Sequence, residues 1–289
     1  MSASRGTVVL ATASDQPDIT ASDRLYADAL QRRGFRVAGA PWDGPRAAFD
    51  GAAAVVVRST WGYYRAVDSF RDWAEAMSAA SRLFNPLGLV RWNLRKDYVG
   101  KLAAAGVRVP QSYFVACDAA AIDKVFAETG WSHAVVKPAT GASGYSVELT
   151  TREDVAGSVA RLAIEAHRTG VLLQEFLPEI AEGELSLVYF GGVFSHAVRK
   201  RPPRGEFRVN SRFGATRSAE TPSRAVAEQG AAALRALPDL PLYARVDGAV
   251  RDGQLIVIEV EVPEPALFME FDPWSAERFA EATLRRMAT

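Results

Sequence analysis

The sequence predicts an α/β N-terminal domain followed by an α+β region built on antiparallel sheets. Three observations lead there. Over roughly the first 85 residues, short apolar runs alternate with helical stretches, the pattern of a small parallel sheet. Beyond Asn85-Pro86, strands come in adjacent pairs joined by small-residue turns such as Gly191-Gly192 and Asp252-Gly253. The 289 residues leave room for about two domains of ~150 residues each.

Thr7–Ala11 reads as an apolar strand. Ser22–Arg33 reads as a helix, with Ser22 or Asp23 near its N-cap and Gly34 as its stop. Phe35–Ala38 and Ala53–Val57 are strands, and Asp68–Ala80 is helical. A helix from Leu94 to Ala105 ends at Gly106. Ser112–Val115 is a strand and Ala119–Thr129 a helix. Ala134–Lys137 and Ser146–Thr150 are strands around a small-residue loop, and Arg152–Arg168 is one long helix. Val171–Phe176, Leu185–Phe190 and Val193–Arg199 are strands, and Pro222–Ala236 is a helix. Leu242–Val246 and Gln254–Val262 form a hairpin, and Pro273–Met287 closes the chain as a helix. The expected division is residues 1–85, 86–180 and 181–289.

Bulk composition narrows the class. Lys plus Arg and Asp plus Glu each number 34, so no net charge favours nucleic acid or a membrane surface. Cys117 is the single cysteine, which rules out an intrachain disulfide and a thiolate zinc cluster. The polar start Met1–Gly6 has no apolar core of a signal peptide, and no run of 18 apolar residues occurs, so a cytoplasmic location is expected.

The most specific local signal is Ile256-Val-Ile-Glu-Val-Glu-Val-Pro263. Alternation along a strand points Glu259 and Glu261 the same way. Two carboxylates side by side among apolar residues repel one another and cost desolvation, which a divalent cation between them offsets. Oxygen-only ligands favour Mg²⁺ or Mn²⁺ over zinc. Asp247 joins them only in one hairpin register. A two-residue turn at Asp252-Gly253 pairs Val246 with Glu259 and turns Asp247 away. A three-residue loop pairs Arg245 with Glu259 and Asp247 with Val257, and puts all three carboxylates on one face. A solvated face of alternating charge is the bland alternative.

Three further constellations carry chemistry. In Val135-Val-Lys-Pro-Ala-Thr-Gly-Ala-Ser-Gly-Tyr145, a strand delivers Lys137 to a loop whose small residues let backbone amides approach phosphate oxygens. It is not a Walker A loop, and an ordinary hairpin is the alternative. Leu173-Gln-Glu-Phe-Leu-Pro178 ends a strand beside Phe176, suited to an adenine edge or simply to a sheet margin. His196–Arg212, with Arg199, Lys200, Arg201, Arg204, Arg208 and Arg212, reads as a basic loop, either solvated or a lid over transferring phosphate. Arg58, at the carboxyl end of a parallel strand, could clamp a substrate carboxylate or form a structural ion pair at a domain boundary. His133, His167 and His196 are scattered and receive no catalytic role.

In this order the pieces resemble the ATP-grasp superfamily: a helix-borne Lys96 before Ala105-Gly-Val-Arg-Val-Pro110, then Val136-Lys-Pro138 with its loop, Gln174-Glu-Phe-Leu177, Gly183-Glu-Leu-Ser186, the basic loop, Arg245-Val-Asp247 and Glu259-Val-Glu261. Ser195–Val198, Lys200–Pro202 and Phe207–Val209 make the glutathione-synthetase-like branch the most similar. Arg58-Ser-Thr-Trp61 and Arg91-Trp-Asn93 are similar to small bacterial members, among them a cyclo-ligase that closes O-ureido-serine into cycloserine.

The resemblance implies ATP bound between two antiparallel-sheet subdomains, with Mg²⁺ or Mn²⁺. Lys96 and Lys137 would contact phosphates, and Ser143 and Gly144 would lie in the loop over them. Glu175, Phe176 and Leu177 would frame the adenine, with Glu184 on the ribose. Arg208, Lys200 and Arg245 would stabilise the transferred phosphoryl group, and Asp247, Glu259 and Glu261 would hold the metal. The implied activity is an ADP-forming carboxylate–amine ligase working through an acyl phosphate on a small amino-acid-like substrate. The chain departs from similar chains at Glu261, where Asn is common, and at Gly62, where an acidic residue is common. Two rivals stay open: a small-molecule phosphotransferase and a non-catalytic ATP-binding regulatory protein. Homodimer and homotetramer are both left open.

Overall fold

The computed structural model describes residues 5–142, 144–162 and 164–288. The first sheet holds β1 (Thr7–Thr12), β2 (Arg36–Pro41), β3 (Ala54–Val57) and β4 (Leu83–Phe84), all parallel, in the order β2-β1-β3-β4. Val8–Ala11 and Ala54–Val57 are buried without a break, because helices cover both faces of a parallel sheet and leave no polar side for alternation. These helices are α1 (Ala21–Arg32) and α2 (Val67–Ala80). Thr20, not Ser22 or Asp23, is the N-cap of α1, its hydroxyl accepting from the Asp23 amide.

Where one helix from Leu94 to Ala105 is expected, the chain forms α3 (Leu87–Asn93) and α4 (Tyr98–Ala104). Lys96 therefore lies between helices. Tertiary hydrogen bonds outcompete the helical ladder here. The Asn93 side chain donates to Val260 O and accepts from Val262 N, and the Lys96 amide donates to Ala139 O at 2.7 Å.

The second sheet is antiparallel: β5 (Ser112–Val115), β6 (Ala134–Pro138), β7 (Glu148–Thr150) and β8 (Val171–Glu175), in the order β5-β8-β6-β7. Its apolar face packs beneath α5 (Ala119–Thr129) and the segment after β7. That segment is not one helix: a short 3₁₀ turn leads into α6 (Val155–Arg161), and α7 (Ile164–Thr169) follows. Leu162 takes an extended ψ of 145° and is buried at 5% exposure, so anchoring its side chain breaks the helix.

The third sheet is also antiparallel: β9 (Glu184–Phe190), β10 (Val193–Arg201), β11 (Thr216–Glu220), β12 (Tyr243–Arg251) and β13 (Gln254–Glu261), in the order β11-β10-β9-β12-β13. Arg199, Lys200 and Arg201 are strand residues paired with Ser218, Arg217 and Thr216, so the basic loop begins only after them. The ladder to β11, unread in the polar Thr216–Glu220 run, extends β10. The helix α8 (Arg224–Arg235) covers one face of this sheet. The last helix, α9 (Ser275–Ala288), joins the sheet to the first domain. Phe279 stacks on Tyr26 at 3.8 Å and on Phe190 at 4.6 Å, a burial contributing about 2–3 kcal/mol. Buried Asn85 ties the same joint: its amide donates to Tyr243 O and Val262 O, and its Oδ1 accepts from Leu242 N.

The hairpin β12–β13 follows neither expected register as drawn. Asp252 and Gly253, with φ of 52° and 72°, form a two-residue turn of the type with both residues left-handed. Gly248 pairs with Val257 and Asp247 with Glu259, so Ile258 is an extra residue, a β-bulge. Beyond the bulge Arg245 pairs with Glu261. The bulge restores the parity that a two-residue turn alone would lose.

Among the described residues no helix is long and apolar enough to cross a membrane.

Candidate active site

The second and third sheets face each other across a cleft. From the second sheet come Lys137 at the end of β6, Gly141, Ala142, Gly144, Tyr145 and Val147 of the loop after it, and Glu175–Leu177 leaving β8; Lys96 reaches in from the link before α4. From the third come Glu184, Lys200, Arg245, Asp247, Glu259 and Glu261, with Arg208 on the loop after β10. The bulge explains why consecutive Ile258 and Glu259 both line it. Thirteen of the residues expected from sequence thus share one cavity with about 140 Å³ of open space. Gly144 is among them, and Ser143 lies outside the described residues.

The carboxylates form a tight group. Oxygens of Asp247, Glu259 and Glu261 lie within 4.8 Å of one another. Ser186 Oγ donates to Asp247 at 2.5 Å, and Arg245 donates to it through Nε and Nη2 at 3.0 and 2.8 Å. Arg245 also bridges to Glu261 at 2.7 Å, Lys96 pairs with Glu259 at 2.6 Å, and Lys200 pairs with Glu184 at 2.5 Å.

The charges respond to this crowding. Burial opposes the charge on Asp247, but Arg245 and Lys200 outweigh it and hold the carboxyl at about 2. Burial works the same way on Glu259, where Lys96 and Lys137 prevail and keep it low. Burial pushes Glu261 up to about 7, with Glu259 and Asp247 adding to it against Arg245. Burial pushes Lys137 down to about 8, aided by Lys96 and opposed by Glu259. Three carboxylates converge here and the donor set is all oxygen. These residues fit a hard divalent cation.

Lys137 is buried at 7% exposure and, among the described residues, its ammonium has no hydrogen-bond or ion-pair partner, so it is a cation facing the cleft. Glu175 lies 3.8 Å from Arg251, and Phe176 meets Phe207 edge-on. Arg208 is folded back: Glu206 accepts from it at 2.7 Å, and it lies 3.8 Å over the Phe213 ring.

A second cavity of about 440 Å³ opens beside the first, between the first domain and the third sheet. The two share Lys200, Arg245 and Glu261. Arg58 lines it, but its Nε donates to Asp23 at 2.8 Å and its Nη2 to Pro265 O at 2.8 Å. Nη1 is buried without a hydrogen-bond partner. Of the two readings of Arg58, the ion pair is the one displayed, since a bidentate clamp needs two adjacent N–H groups free. Gly62 has φ of 95°, a conformation an acidic side chain would strain, which accounts for the glycine.

Ile258 and Glu264 are among the lining residues that escaped sequence reasoning. Ile258 is invisible because a bulge leaves no compositional mark. Glu264 continues the acidic run beyond Pro263, where the strand reading stopped. Its carboxyl is pushed well up by burial and by Glu261.

Residues 8–85 match the family described as the N-terminal domain of D-cycloserine synthetase DcsG, and residues 101–237 match the ATP-grasp domain of prokaryotic glutathione synthetase. The cycloserine biosynthesis protein DcsG of Streptomyces lavendulae is 37% identical over 252 residues, covering 81% of this chain and 83% of that protein. A glutathione synthetase of Parasynechococcus marenigrum is 30% identical over 158 residues, 53% of this chain and 49% of that one. The crystal structure of D-cycloserine synthetase DcsG superposes with a TM-score of 0.87 at 31% identity, covering 98% of this chain and 100% of the other. The ATP-grasp ligase PsnB, complexed with minimal precursor, Mg and ADP, has a TM-score of 0.65 at 18% identity over 98% of both chains, a likeness of fold.

Proposed function

The chain belongs to the ATP-grasp ligases, with an N-terminal domain of the D-cycloserine synthetase type, and we propose that it is an ADP-forming carboxylate–amine ligase for a small amino-acid-like substrate. The specific reaction proposed is ring closure of O-ureido-serine, a step in antibiotic biosynthesis: the nitrogen bonded to the side-chain oxygen of the same molecule attacks the acyl phosphate and displaces phosphate, and hydrolysis of the carbamoyl group on that nitrogen to carbon dioxide and ammonia leaves cycloserine. The observation that carries the reading is the opposition, across one cleft, of Lys96 and Lys137 to a three-carboxylate group.

A carboxylate resists nucleophiles because of its charge, and phosphorylation by ATP turns it into an electrophile. Lys96 and Lys137 would hold nucleotide phosphates, Lys137 gaining the anionic partner its burial leaves it without. Glu175, Phe176 and Leu177 would line the base and Glu184 the ribose. Asp247, Glu259 and Glu261 would hold Mg²⁺, which supplies charge neutralisation on the phosphates. Nucleotide entry would exchange the Lys96–Glu259 and Arg245–Glu261 pairs for phosphate and metal contacts, and the ribose on Glu184 would release Lys200, so that Arg245 and Lys200 face the transferring group. The loop 139–147 would keep water from the acyl phosphate. Arg208 would join only by leaving Glu206.

The test is incubation with ATP, Mg²⁺ and O-ureido-serine or a panel of amino acids, following nucleotide and phosphate products. ADP with free phosphate and a cyclised or ligated product is expected. AMP with pyrophosphate would defeat the acyl-phosphate route, and ADP without free phosphate would make the protein a phosphotransferase.

A further inference from the structure

We infer that Glu264 grips the substrate's α-ammonium group, so that the protein selects amino acids over the matching carboxylic acids. The inference rests on the ligase reading above and assigns a residue to substrate choice within it.

Glu264 is 7% exposed and lines the second cavity, yet among the described residues its carboxyl has neither a hydrogen bond nor an ion pair. The cations around it are already engaged: Arg58 with Asp23, Arg245 with Asp247 and Glu261, and Lys200 with Glu184. The backbone holds the side chain in place. Pro263 and Pro265 fix φ on either side. Pro263 O accepts from the Tyr243 hydroxyl at 2.9 Å, Glu264 O from Trp61 Nε1 at 3.3 Å, and Pro265 O from Arg58 Nη2 at 2.8 Å. A buried carboxyl so firmly aimed and left without a partner calls for a cation.

That cation is organic. The carboxylates able to share one metal ion are Asp247, Glu259 and Glu261, and Glu264 is not among them. A hard divalent ion needs several oxygen ligands, whereas Arg58, Arg217 and Arg245 line the same cavity. Of the other carboxyls in this lining, Asp23 is paired with Arg58, Glu261 with Arg245, and Glu270 is exposed, so the buried, unpaired Glu264 among guanidinium groups suits a zwitterion, which brings an anion for the one and a cation for the other. Glu261 and Arg245 lie where the two cavities meet, so the substrate's carboxylate would sit there and its α-ammonium, one carbon away, toward Glu264. An amine held this way keeps its proton and is no nucleophile. The nitrogen that attacks the acyl phosphate is therefore a different one, as ring closure through the O-linked nitrogen of O-ureido-serine requires.

The experiment compares ADP release by the wild type and by Glu264→Gln, with O-ureido-serine and with the same molecule lacking the α-amino group, 3-(ureidooxy)propanoate. The wild type should prefer the amino compound by about 100-fold in kcat/KM, because a site built around a charged partner rejects the analogue that leaves it unpaired. Glu264→Gln should reduce that preference to about threefold, mainly through KM for the amino compound, with KM for ATP unchanged. Glu264→Asp, which keeps the charge, should retain the preference at a higher KM and serves if Glu264→Gln folds poorly. Equal use of both compounds by the wild type, or an undiminished preference in Glu264→Gln, would overturn the assignment and leave the ligase reading standing. Turnover of neither compound, nor of any common amino acid, would defeat the ligase reading and this assignment together.

Discussion

Asp247 and Glu259 stand directly opposite each other across β12 and β13, although the turn joining these strands has only two residues. In an unbroken ladder that turn would set Val246 opposite Glu259 and Asp247 against the other face. Ile258 makes the difference: one extra residue beyond the turn shifts every later side chain on β13 to the opposite face. The carboxylate group depends on the residue count of this strand as much as on its acidic residues.

Deleting Ile258 alone should therefore remove the bulge yet keep Asp247 opposite Glu259 and Arg245 opposite Glu261, and activity should stay within about tenfold of wild type. Deleting Val257 and Ile258 together should set Glu259 opposite Gly248 and turn Glu259 and Glu261 away from the cleft. In that double deletion ADP formation should fall below about 1% of wild type and Mn²⁺ binding should be lost, with a stability loss of about 1–3 kcal/mol typical of a disturbed core strand. Equal activity in the single and double deletions would refute the dependence of the site on strand register.

Much of this site was legible because its chemistry is concentrated in few residues. Lys137, Glu175 and Glu184 sit at strand ends whose apolar runs are plain in sequence, and alternation alone put Glu259 and Glu261 on one face. What stayed hidden depends on long-range contacts. The helix break before Lys96 is made by Asn93 bonding to Val260 and Val262, more than 160 residues away. The extension of β10 through Arg201 depends on β11, a polar edge strand without alternation. Arg58 was read at the right strand end, but the buried Asp23 that occupies it comes from another element.

Lys137 should make stability depend on alkaline pH. Its folded-state pKa is lowered from 10.5 to about 8. Between these values the unfolded chain holds more protons than the folded one, so this group's contribution to stability rises with pH across the window and is flat below it. From pH 7.5 to 9.5 the rise should be about 2 kcal/mol, at roughly 1.4 kcal/mol per unit beyond the folded value. Urea midpoints for the metal-free and nucleotide-free protein would measure it against Lys137→Met, which should lack the rise. Affinity for a non-hydrolysable ATP analogue should move the other way, weakening above pH 8 in the wild type alone. Parallel pH profiles for the two proteins would contradict the assignment.

The Asp23–Arg58 pair should act on stability more than on catalysis. Both side chains are buried, at 5% and 2% exposure, so removing one partner strands a charge. Asp23→Asn should cost about 3–5 kcal/mol in urea unfolding. Replacing both by apolar residues, Asp23→Leu with Arg58→Met, should recover much of that loss, because burying two charges is itself costly. Substrate KM in the double variant should stay within a few fold of wild type. A rise in KM of a hundredfold with stability restored would return Arg58 to the role of a substrate clamp.

Gly144 should prove intolerant of any side chain. Its φ of 65° already strains other residues, and a Cβ there would stand 2.4 Å from Asn210 Oδ1. The loop 139–147 meets the segment after β10 at this point, so the cleft is roofed from both sheets. Gly144→Ala should therefore push the loop off Asn210 and admit water. We expect kcat to fall at least about tenfold, with ADP release becoming partly uncoupled from product as water competes for the acyl phosphate. The ratio of ADP to ligated product measures this directly, and Asn210→Gly in the same background should restore part of the coupling by removing the obstructing amide. If Gly144→Ala kept both kcat and a one-to-one ratio, contact between the loop and Asn210 would have no part in turnover.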